Sequence, residues 1–189
     1  SILTMSKYHG DAWTAAKSFN INSTGGKILW LKNNSTYNYN LHIYSIIFNW
    51  DGGSGSDNPN LKYRIPMYYS IQFDNYISPI ANFTSVTPIR LNRAWKQTPN
   101  NITHSSEDIL CYTWNGVGNS MLPSNMTNTS KFAMSIGREV IFIDGFSIFP
   151  KDAELAINCR SAESSGILGI RILLYFDTPG PKLTRTYYD

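Results

Sequence analysis

Apolar side chains recur at every second position through much of this chain and almost nowhere with a period near 3.6, which predicts strands and very little helix. From Tyr63 to Asp74, Ile65, Met67, Tyr69, Ile71 and Phe73 alternate strictly with their neighbours, the signature of a strand half-buried against a core. Pro66 asks for an edge position or a strand start. From Tyr39 to Trp50, Leu41, Ile43, Ser45, Ile47 and Asn49 alternate with His42, Tyr44, Ile46, Phe48 and Trp50. The second set is largely apolar and aromatic, so both faces of this strand are expected to be covered.

Shorter runs extend the pattern. Ala12 to Asn20 places Trp13, Ala15 and Phe19 on one face, and after the turn at residues 22–26, Lys27 to Lys32 forms a strand with charged ends. Phe83 to Leu91 is a strand interrupted by Pro88. Ile109 to Trp114, Lys131 to Ile136, Val140 to Ile143 and Phe146 to Phe149 follow, with Asp144-Gly145 as a tight turn between the last two. Ala153 to Arg160 and Ile167 to Asp177 read as a hairpin joined through Ser161 to Gly166. Residues 51–60 and 115–128 are polar loops rich in Gly, Ser and Asn. Beyond Thr178, Pro179, Gly180 and Pro181 oppose ladder pairing and predict an extended arm.

The expected fold is therefore an all-β, antiparallel β-sandwich of the jelly-roll kind, with about eight to ten strands and long polar loops. One domain is expected over residues 1–177, with the arm at 178–189. An immunoglobulin-type sandwich is the alternative, but it usually needs only about 100 residues.

Composition narrows the function more than it names it. Sixteen Lys and Arg against thirteen Asp and Glu give a net charge of +3, too mild for nucleic acid to be the main expected partner. No run approaches the length of a membrane span. Only Cys111 and Cys159 occur, both in apolar strand contexts; buried free thiols are the simpler reading, a disulfide the other. Sequons begin at Asn22, Asn33, Asn34, Asn82, Asn101, Asn125 and Asn128, in a chain rich enough in Asn, Ser and Thr to produce them by chance.

Motifs for chemistry are scarce. His9, His42 and His104 are scattered without metal-ligand spacing. Gly53-Ser54-Gly55-Ser56 lies in an open loop rather than a nucleophile elbow, and Gly25-Gly26-Lys27 lacks the rest of a phosphate loop. Residues 51–58 carry oxygen ligands and glycines but not the calcium-loop pattern. Glu107, Asp108, Glu139, Asp144, Asp152 and Glu154 are the acids from which a glycosidase pair would have to come. The chain is accordingly expected to act by binding, without catalysis and without a cofactor.

The aromatics are the best candidates for contact. Trp95 with Arg90 and Arg93, and the tail residues Tyr187 and Tyr188, are the expected interface anchors. A rival reading is a carbohydrate- or receptor-binding sandwich, such as a fibre head or a secreted lectin, with Trp50, Asp51, Asp57 and Trp114 around one loop as the glycan site.

Several segments together resemble small β-sandwich virion structural proteins, the capsid, minor capsid or decoration subunits of bacterial and archaeal viruses. They are residues 10–13 (Gly-Asp-Ala-Trp), 25–33, 41–46, 150–157 and 170–176, about a fifth of the chain. The likeness lies at the level of fold. It implies a protein of the virion whose partners are copies of itself and other virion proteins, with loops at the particle surface and termini reaching neighbours. The rival implies an extracellular protein whose partner is a cell-surface glycan or receptor.

Overall fold

Twelve strands account for the regular structure of a computed structural model that describes residues 11–21, 27–36, 39–51, 67–73, 83–91, 104–114, 132–134, 137–142, 148–161 and 166–176. They are β1 (Ala12–Ile21), β2 (Lys27–Asn33), β3 (Leu41–Asp51), β4 (Met67–Phe73), β5 (Phe83–Ser85), β6 (Ile89–Arg90), β7 (Ile109–Trp114), β8 (Phe132–Met134), β9 (Gly137–Phe142), β10 (Ile148–Phe149), β11 (Glu154–Ser161) and β12 (Gly166–Phe176). A single 3-10 turn, Ser106–Asp108, precedes β7. Among the described residues, no helix is long and apolar enough to cross a membrane.

The strands build two antiparallel sheets. Sheet A runs β10-β3-β12-β1-β6, with β9 also paired to β3, and sheet B runs β5-β7-β2-β11-β4-β8. Eight strands nest from the outside of the chain inward: β1 pairs β12, β2 pairs β11, β3 pairs β9 and β4 pairs β8. That rolled-up pairing is the jelly roll. The segment between β4 and β8 adds three more, with β7 and β5 extending sheet B beyond β2 and β6 extending sheet A beyond β1, and β10 pairs with β3.

The core lies between the sheets. Sheet A contributes Trp13, Ile43, Ile46, Phe48, Leu168, Ile170, Ile172 and Leu174, and sheet B contributes Leu29, Leu31, Met67, Tyr69, Cys111, Leu155, Ile157 and Cys159, all buried in one cluster. Phe48 of β3 stacks on Tyr69 of β4 at 4.6 Å across the interior, and the Tyr69 hydroxyl donates to Glu139 of β9 at 2.8 Å. Both cysteines are free and buried. Burial pushes the Cys111 thiol up to about 12 and raises that of Cys159 as well, so both stay protonated and act as small apolar groups.

Three expectations change. Strict alternation along β3 would set Leu41 and Ile43 on the face opposite Ile46, Phe48 and Trp50, yet all five are buried toward the core. The register against β12 jumps from Leu173↔Ser45 to Leu174↔Ile43, leaving Tyr44 as the extra residue of a bulge that resets the phase. The outer face of β3 is consequently not covered throughout; Asn49 and Asp51 are exposed on it. The expected hairpin of the last two strands is absent, because β11 belongs to sheet B and β12 to sheet A. The chain crosses from one sheet to the other there, as it does at Pro88 between β5 and β6. Finally, β9 and β10 do not pair with each other but share one edge of β3, β10 at His42 and β9 from Ser45 to Trp50. Asp144-Gly145 lies outside the described residues.

Asn33 ties the end of β2 to its surroundings. It is fully buried; its amide donates to the carbonyls of Tyr39 at 2.9 Å and Phe149 at 2.8 Å, and its Oδ1 accepts from the Ser35 amide at 3.0 Å. Its own backbone meets Ala153 and Asp152. The Asn33 sequon is thus closed to modification in the folded chain, while Asn34 beside it is exposed.

Candidate functional site

The two sheets differ in what they leave open. In sheet B, Leu29, Trp30 and Leu31 of β2 and Glu154 to Ile157 of β11 are buried without alternation, so its central pair is covered on both faces. Trp30, on the outer side, rests against Tyr112 and donates its Nε1–H to Glu154 at 3.2 Å. The outer face of sheet A is different. Ile89 is 50 % exposed, Ile148 58 %, Ile167 52 % and Val140 36 %, and these are the exposed large hydrophobics among the described residues.

Register places all four on that one face. Ile89 pairs with Thr14, whose neighbours Trp13 and Ala15 point inward; Val140 pairs with Ile47, Ile148 with His42, and Ile167 with Asp51. Directly paired residues share a face, so each of the four points away from the core. Three of them lie at the margins, and Ile167 lies on the interior strand β12. Ile89 sits on β6, one edge of the sheet, and Val140 and Ile148 sit on β9 and β10 at the other.

Between the margins lies a shallow depression of about 470 Å³. One cross-strand row forms its floor and rim: Ser18 of β1, Gly169 of β12, Asn49 of β3 and Arg138 of β9. Ala16, Arg171 and Ile47 form the next row on the same face, and Lys17 and Ile170 also border it. Gly169 creates the dip, since a Cβ there would come 3.5 Å from the Ser18 hydroxyl and 3.7 Å from the Asn49 side chain, ordinary contact that larger groups would extend into the space. No acidic side chain lines it.

A second polar group occupies one end of the sandwich. Arg90 lies 4.6 Å over the Trp13 ring, donates to the His104 carbonyl and faces the buried Asp11. Burial raises the Asp11 carboxyl to about 7, with the Arg90 charge opposing the rise. His104 is packed on Phe176 at 3.8 Å and edge-on to Tyr39 at 5.1 Å; burial holds its imidazole down at about 4 despite Asp108 at 3.6 Å. That separation is beyond hydrogen-bond reach. Asp108 instead accepts from the Ser105 amide at 2.7 Å, closing a capping box on the 3-10 turn. Ser105 and Asp108 thereby fix the entry to β7.

The expected site residues fall in different places. Arg90 is half-buried and engaged with Trp13 and His104 rather than presented as an anchor. Trp50 is in the core, against Gly166, so it has no open ring for a sugar. Asp51 is exposed at the end of β3. Trp114 ends β7, but its side chain lies outside the described residues, as do Arg93, Trp95, Asp57, Tyr187, Tyr188 and the arm at 178–189. Among the described residues no group of His, Cys, Asp and Glu is placed to hold a metal ion. Sequence reading missed the edge isoleucines and the pair Arg138 and Arg171; Arg171 alternates with Ile170 and Ile172, a signal that names an outward position but not its company. Among known proteins, the chain matches no protein-family model and none of the curated proteins.

Proposed function

We propose that the protein is a structural subunit of a virion shell, built by edge-to-edge packing of copies through sheet A. The observation that carries this reading is the placement of exposed isoleucines at both margins of one sheet, Ile89 on one side and Ile148 with Val140 on the other. Apolar side chains left open at both edges of a sheet are surface that a second copy can cover. Burying each isoleucine contributes on the order of 1 kcal/mol for the half that is exposed. A head-to-tail contact, β6 of one copy against β9 and β10 of the next, covers both margins, whereas a two-fold contact between like edges leaves the other margin open. Head-to-tail contacts propagate into rings or extended arrays, the geometry a shell requires. The jelly roll supports the reading only as a scaffold common to capsid proteins, lectins and other families.

Sedimentation velocity across a concentration series tests it. Species well above the 21.4 kDa monomer, growing with concentration and reduced by Ile148→Lys, are expected. A strict monomer at every concentration would count against the shell reading.

A further inference from the structure

We infer that the depression on the outer face of sheet A is a cradle for the phosphate backbone of a nucleic acid, read by charge and not by sequence. It rests on the shell reading in one respect: with the margins of sheet A used laterally, the middle of the sheet is free to face the packaged genome. Two cations whose register faces outward, Arg138 and Arg171, border a cavity without an acid in its lining. Neither arginine makes an ion pair among the described residues, although the same protein pairs Lys32 with Asp152. Unpaired guanidinium groups around a concave surface favour an oxyanion, and Arg in particular suits phosphate oxygens through its fork of donors.

The neutral lining agrees. Asn49 offers an amide and Ser18 a hydroxyl, the side chains that accompany Arg and Lys in contacts to phosphate and sugar. No aromatic ring lines the depression, so neither a base nor a sugar ring has a platform to stack on. What remains is recognition by charge and hydrogen bonds along a polyanionic backbone.

Fluorescence anisotropy with a short labelled DNA duplex, on the full chain, tests the inference. The wild type is expected to bind duplexes of unrelated sequence equally, with log K falling against log salt at a slope of about −2, as for two phosphate contacts. Arg138→Gln with Arg171→Gln should weaken binding about tenfold or more and cut the slope by about 2. Gly169→Leu, which fills the dip without changing charge, should also weaken it, while Lys151→Gln on the exposed turn should not. Absence of binding at low salt, or a double variant that binds like the wild type, would overturn the inference. So would arginine-dependent binding of a sulfated polysaccharide without binding of DNA. Light scattering on the same samples separates the two readings: a wild type that assembles but ignores DNA sinks the cradle alone, and one that binds DNA through the arginines yet never assembles sinks the shell alone.

Discussion

Replacing Asn33 by alanine should damage the fold far more than its single polar side chain suggests. The substitution deletes two donated bonds, to the carbonyls of Tyr39 and Phe149, and one accepted bond from the Ser35 amide. All three partners lose this mate, Ser35 and Phe149 at buried positions and Tyr39 at a half-buried one. A buried polar group left unsatisfied costs about 1 to 3 kcal/mol, so three of them, with some relaxation, amount to roughly 3 to 5 kcal/mol. Against a total stability of about 5 to 15 kcal/mol for a domain, that is a large fraction. The melting temperature should fall by roughly 10 °C, at about 2 to 4 °C per kcal/mol for a domain of this size. Asn34→Ala is the matched control: it is exposed and donates one bond, to Glu107 at 3.1 Å, so its cost should stay within about 1 kcal/mol. Equilibrium urea unfolding followed by far-UV circular dichroism measures both. If Asn33→Ala were as stable as Asn34→Ala, the role assigned to this residue in joining the end of β2 to β10 and to the segment before β3 would be wrong.

Two further outcomes follow from packing and charge. A Cβ at Gly166 would collide with the Trp50 ring and the Asp51 carbonyl, so Gly166→Ala should cost about 1 to 3 kcal/mol, whereas Gly169→Ala, with only ordinary contacts, should be near neutral in the same urea assay. The buried pair Asp11 and His104 should cancel in the pH dependence of stability. His104, held at about 4 when folded, binds fewer protons folded than unfolded between about pH 4 and 6.5, so its contribution is lost as pH falls. Asp11, raised to about 7, binds more protons folded over the same window, so its contribution is lost as pH rises through that value. Asp11→Asn removes one side of the balance, and unfolding at pH 5 and 6.5 should show the variant losing about 2 kcal/mol relative to wild type on acidification. An unchanged difference between variant and wild type at the two values would contradict the assignment.

The sandwich was legible because alternation is local. The strand at Ile109–Trp114 matches its predicted bounds, and β1, β2, β3 and β4 lie within a few residues of theirs. What alternation cannot carry is the pairing. Ala153–Arg160 and Ile167–Asp177 look like a hairpin by proximity, but a jelly roll sends consecutive strands to opposite sheets, and that depends on contacts far apart in sequence. The bulge at Tyr44 shows the same limit within one strand, where a single extra residue reverses the reading of five apolar side chains. Trp50 drew attention as an aromatic beside a polar loop, while its ring completes the core over Gly166. The open face of sheet A was hidden for a different reason. Ile89, Val140 and Ile148 resemble core residues in composition, and only the register shows them facing out, at opposite edges.

Cross-linking between two single-cysteine additions probes that arrangement most directly. Ile89→Cys and Ile148→Cys proteins are mixed and treated with a short bismaleimide; Cys111 and Cys159 are buried and protonated and should not compete. Head-to-tail contact predicts a covalent dimer in the mixture and little in either protein alone. Dimers formed equally well by each protein alone, or none in the mixture, would contradict it.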